Sequence, residues 1–231
     1  FPGDSSPGAP ARDLSRIILD LKAIADRLPT NTRVLRLISK AFWEAESPDQ
    51  SVRALQKAAS LDAACYPELI AMLREIGRAD QAATTLRAFG AVDATSLRYQ
   101  TLRERALLLE AAGEFDAAIN DWIRLARIGR PEDLAALGLR HARMGQTSES
   151  QRVARSLAQH KGSPEAIAAA TRILAASGLH AQADEVFIGF FAERMGEAVA
   201  RIELARIFIS TQAWNAALSQ IHLAEAADTT H

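Results

Sequence analysis

Apolar residues recur along this chain in steps of three and four rather than in alternation, which is the period of helices. Leu14, Ile17, Ile18, Leu21, Ile24 and Leu28 fall on one face of a helix that begins near Ala11 and is stopped by Pro29. Ahead of it, residues 1–10 hold three prolines, two glycines and two serines, the composition of a flexible lead-in. From Thr32 onward, helical stretches of about a dozen residues alternate with short polar turns. The β-branched residues are scattered and favour no strand, so the chain reads as all-α.

A repeat lies inside that alternation. Ser51, Ala82, Ala118, Ser150, Ala183 and Ala217 are spaced by 31, 36, 32, 33 and 34 residues. Five residues before each stands Glu46, Gly77, Gly113, Gly145, Gly178 or Gln212. A period near 34 means stacked helical hairpins. With the small residue as position 20, repeats start at Thr32, Ala63, Tyr99, Pro131, Pro164 and Ala198. Position 8 is mostly small, which lets two helices approach closely. Position 11 (Phe42, Leu73, Leu109, His141, Leu174, Phe208) and position 24 (Leu55, Leu86, Trp122, Ala154, Phe187, Ile221) fill the space between hairpins. Position 15, mostly glycine, belongs at a tight turn with a left-handed backbone. Ser47-Pro48-Asp49-Gln50 predicts a capping box. Pro67, Pro131 and Pro164 mark other helix starts. The spacings of 31 and 36 predict a shortened helix near Pro67 and a longer linker near residues 90–96.

In the copy from Tyr99 to Arg130, the residues Ala106, Leu109, Gly113, Phe115, Ala118 and Trp122 fall on signature positions. That copy resembles the tetratricopeptide repeat. Lys57 to Asp62 is similar to the end of the family's second helix, without its closing proline, and Ala205, Phe208, Trp214 and Ala217 match again. Arg105 departs from the pattern, standing where the family prefers Leu. A HEAT-like solenoid would need units of about 40–47 residues, which these spacings do not give. The resemblance covers residues 32–231. It implies a right-handed α-solenoid of about six helical hairpins plus an N-terminal helix, one superhelical domain over 11–231. It also implies a scaffold or adaptor whose first helices line a concave groove that binds another protein.

Carried onto this sequence, the family's groove positions give a candidate binding face of Arg33, Arg36, Lys40, Trp43, Arg103, Arg143, Arg172 and Arg206. The central positions 5 and 9 hold five basic residues and no acid, which suits a partner with an acidic surface or segment. Glu44, Glu75, Glu110, Glu132 and Glu165 flank that face and dilute its charge. The family's clamp for a C-terminal carboxylate needs Asn at position 9, and none is there.

Bulk composition narrows the classes further. Apolar residues are 48 %, charged residues 24 % and net charge is −1, so no global charge argues for nucleic acid or membrane binding. No apolar run is long enough for insertion of this segment into a membrane. The lone Cys65 reads as a buried, idle thiol. The five histidines form no metal motif, and His141, at an apolar position, reads as a packed core residue. No phosphate loop, nucleophile elbow or dinucleotide fingerprint is present. No enzymatic role, cofactor or metal is expected. Leu218 and Ile221 of the last helix would face water, so further repeats, or self-association through this end, are expected. The resemblance also suggests a bacterial periplasmic setting, in secretion or assembly of cell-surface polysaccharide. The competing reading is a regulatory sensor module whose groove takes a peptide or small ligand.

Overall fold

The structure is a computed structural model that describes residues 9–159 and 163–228. Its described residues form thirteen α-helices, two single 3-10 turns and no strand. Helix α1 spans Ala9–Arg27, starting two residues before the expected point, because Pro10 is tolerated in a first turn. The rest of the expected flexible lead-in, residues 1–8, lies outside the described residues. Six hairpins follow, at the predicted register. They pair α2 (Thr32–Glu44) with α3 (Pro48–Leu61), α4 (Tyr66–Glu75) with α5 (Ala79–Ala91), and α6 (Tyr99–Ala111) with α7 (Phe115–Arg127). The others pair α8 (Pro131–Arg143) with α9 (Thr147–Ala158), α10 (Pro164–Ala176) with α11 (His180–Met195), and α12 (Glu197–Ser210) with α13 (Trp214–Asp228).

Two compact units, residues 1–121 and 122–231, divide within α7. In the first, each helix from α1 to α5 packs on the next, and α5 packs on α6. In the second, α8 pairs with α9, α10 with α11 and α12 with α13, and α8 also touches α10, as α10 touches α12. The irregular spacings have the expected sources. Helix α4 has only ten residues and follows a 3-10 turn at Ala63–Cys65. The linker after α5 holds a second such turn, Ala94–Ser96, where Asp93 Oδ1 accepts from the Thr95 amide at 2.9 Å.

One turn design recurs in all six hairpins. The residue at position 15 has positive φ: Gly77 (75°), Gly113 (81°), Gly145 (71°) and Gly178 (76°), but also Glu46 (54°) and Gln212 (62°). The next amide then donates to the carbonyl of position 11, at 2.8–2.9 Å in each copy, as from Arg78 to Leu73 and from Gln146 to His141. That bond closes the helix end. The large residue of position 11 therefore fills the core with its side chain and ties the turn with its carbonyl.

Positions 8 and 20 are buried in every copy. In the first hairpin Ser51 Oγ donates to the Ser39 carbonyl at 2.7 Å and lies 2.9 Å from Ser39 Oγ, so two polar groups are satisfied at the helix crossing. In the fourth, a methyl group on Gly138 would lie 2.5 Å from Ile173 Cδ1 and 3.0 Å from Val153 Cγ1. Position 11 is buried throughout, and position 24 is buried except at Ile221. The capping box at Ser47 is not formed. Ser47 has φ −114° and ψ 66°, and its hydroxyl turns back to the Ala45 carbonyl at 3.3 Å instead of capping α3. Real caps sit on α2, where Asn31 Oδ1 accepts from the Val34 amide at 3.2 Å, and on α10, where Ser163 Oγ accepts from the Ala166 amide at 3.3 Å. None of the described helices is long and apolar enough to cross a membrane.

Candidate functional site

All eight predicted binding residues lie on first helices of hairpins: α2, α6, α8, α10 and α12. Their surroundings differ. Arg33, Lys40, Arg143 and Arg172 are exposed, and none carries an ion pair among the described residues. Arg36 is exposed but its Nε donates to Glu68 Oε2 at 2.8 Å. Arg206 is likewise taken up by Glu203, at 2.6 Å, one turn back on its own helix. Arg103 and Trp43 are half-buried. The predicted stripe is thus partly a self-neutralised surface, and its uncompensated charge sits on four residues.

Two of the eight come together at one cavity. In the second unit, α10, α11 and α12 border an open pocket of about 410 Å³, with Arg172 and Arg206 both lining it. Its apolar lining includes Phe187, which the repeat register places between hairpins at position 24, and Phe191 and Met195 farther along the same second helix, outside the register positions. The cluster Phe187, Phe190 and Phe191 was the available sequence signal, since one helical stretch carries three aromatics where aromatics are 6 % of the chain. In the first unit, a cavity of about 490 Å³ lies along α5 and α6, bordered by Arg74, Arg87 and Glu114.

Elsewhere the polar groups read as structural. Arg105, the residue that departs from the repeat pattern, is buried and grips Asp121 with two bonds, Nε to Oδ2 at 2.7 Å and Nη2 to Oδ1 at 2.6 Å. Its remaining nitrogen donates to the carbonyls of Phe89 (3.2 Å) and Val92 (2.5 Å) at the end of α5. His141 is buried, with Nδ1 2.5 Å from Gln146 Oε1, so it packs and holds its own turn. His180 opens α11 and meets Phe208 edge-on at 5.4 Å. Cys65 is buried, and burial pushes its thiol up, with the Asp62 carboxylate adding to the effect. Asp49 is held below the usual carboxylate range by its hydrogen bond to Arg78. Among the described residues, no three His, Cys, Asp or Glu side chains are gathered as a metal site.

No protein-family model matches the sequence, and no curated protein does. Solved structures do match. A tetratricopeptide repeat protein from Parabacteroides merdae is similar with a TM-score of 0.51 at 17 % identity, over 85 % of this chain and 79 % of that one. The C-terminal part of a repeat protein of the same kind from Cytophaga hutchinsonii reaches a TM-score of 0.48 at 14 % identity, over 95 % and 92 %. At such identity the likeness is one of fold, and the first of these carries it. Together with the six-fold turn and packing pattern, it makes this an all-α chain with the tetratricopeptide-repeat fold.

Proposed function

We propose that this chain is a non-catalytic scaffold that binds a partner protein through the exposed faces of its first helices. The carrying observation is the set of uncompensated cations there: Arg33 and Lys40 in the first unit, Arg143 and Arg172 in the second. Arginine forks suit carboxylates, so the partner surface or segment is acidic. Cations left without a protein counterion raise the rate and specificity of association with such a surface. Some large bacterial proteins built of many such repeats sit in the periplasm and organise secretion or assembly of cell-surface polysaccharide, and that resemblance alone supports the same setting for this chain.

The test is affinity capture from a bacterial extract, with the full chain beside a variant carrying Arg33→Glu, Lys40→Glu, Arg143→Glu and Arg172→Glu. All four positions are exposed, so equal helicity is expected. Retention of one protein by the chain and its loss by the variant supports the reading. Retention of the same proteins by both overturns it.

A further inference from the structure

We infer that the cavity among α10, α11 and α12 is a peptide subsite, one that takes a bulky apolar side chain with a carboxylate beside it. This rests on the scaffold reading above and narrows it to one place and one ligand chemistry.

The sequence opens the space. Position 5 carries Arg36 and Arg103 in the first and third hairpins, but Ala168 in the fifth, where it forms one wall. The floor is Phe187, Phe191 and Ile207, all nearly fully buried. These rings are pre-set. Phe187 and Phe191 stand 4.5 Å apart at 36°, Phe190 meets Phe191 edge-on at 4.9 Å, and the Arg194 guanidinium sits 3.8 Å over Phe190. A floor held from behind loses little freedom when a ligand arrives. Met195, at the rim and 37 % exposed, adds an adaptable apolar edge.

Charge then selects the neighbour of the apolar group. Two guanidiniums and the Glu203 carboxylate line the cavity, and Glu203 pairs with only one of the guanidiniums, Arg206, so one positive charge is left over. Arg172 is exposed and has no ion pair among the described residues. A carboxylate next to the inserted side chain completes it with a two-bond contact. The volume is near the low end of ligand cavities, about 300–1,000 Å³, and so suits one side chain and its flank rather than a whole helix.

The experiment is fluorescence anisotropy on the full chain with labelled octapeptides, Gly-Ser-Glu-Phe-Glu-Ser-Gly-Ser and its Glu-Ala-Glu and Lys-Phe-Lys counterparts. The Glu-Phe-Glu peptide is expected to bind at least about tenfold more tightly than either. Arg172→Glu and Met195→Glu should each weaken it about tenfold, while Arg152→Glu, on the second helix α9, exposed and outside the cavity, changes it less than about twofold. Equal binding of the Lys-Phe-Lys peptide overturns the subsite, as does equal weakening by Arg152→Glu. Free phenylacetate competing as well as the peptide would make it a small-ligand site and overturn it too. If capture fails in the four-fold variant while Arg172→Glu leaves peptide binding untouched, the scaffold reading stands and the subsite alone falls.

Discussion

Arg105 and Asp121 close on each other as a two-bond ion pair, with both side chains only 4 % exposed. The arginine also holds the last carbonyls of α5, so α5, α6 and α7 are joined at one buried point. Burying two charges is costly, and such a pair is strong only while complete. Arg105→Leu, which restores the residue preferred by the resembling family, should therefore destabilise the chain by about 3–5 kcal/mol, because it strands the Asp121 carboxylate. Adding Asp121→Leu should recover most of that loss. Urea unfolding of the two single variants and the double variant measures the coupling.

The hairpin turns give a second prediction. Glu46 and Gln212 adopt the left-handed backbone that the other four copies give to glycine. Side chains there cost about 1–2 kcal/mol, while glycine loses about 0.5–1 kcal/mol of chain entropy on folding. Glu46→Gly should stabilise by a net of about 0.5–1 kcal/mol. Gly113→Ala should destabilise by about 1 kcal/mol through backbone strain alone, since nothing lies within 4 Å of the added methyl. Thermal melts followed by circular dichroism resolve both.

Gly138→Ala tests close packing instead of backbone strain. The alanine gains about 1 kcal/mol of helix propensity but drives a methyl group into Ile173 and Val153. Overpacking of this kind costs about 1–3 kcal/mol, so a net loss of about 1 kcal/mol is expected. Adding Ile173→Val should reverse part of it, and the same urea titration reads both changes.

Cys65 supplies the pH prediction. Burial, with Asp62 second, raises its pKa above the ordinary 9.0. The folded chain keeps the proton to higher pH than the unfolded chain does. The contribution to stability is whole below pH 9.0 and fades as pH climbs through the folded value. The urea midpoint should fall above that pH, and less so in Cys65→Ala. At pH 8, a thiol-specific disulfide reagent should react slowly with the folded chain and fast in urea.

Helix order and register were legible because the repeat states them six times. Position 15 announces the turn, and positions 8 and 20 announce the crossing. The Ser47 cap was misread because a capping box is a local motif, and the hydroxyl found a nearer acceptor in the Ala45 carbonyl. Arg105 registered only as a departure, since its partner Asp121 lies one helix away and no spacing rule joins them. The binding face was half legible. Periodicity placed the arginines on first helices, but which of them are neutralised depends on neighbours such as Glu68 and Glu203. Of the aromatic floor, the repeat register placed Phe187 at position 24 but not Phe191, which lies farther along the same second helix, outside the positions that the register singles out.

Hydrogen–deuterium exchange of the chain, alone and with its captured partner, tests the central claim most directly. Binding through first helices predicts slowed exchange in α10 and α12, with α2 or α8 joining if the partner extends to Lys40 or Arg143. Protection confined to α9, α11 and α13, with the first helices unchanged, would contradict the account.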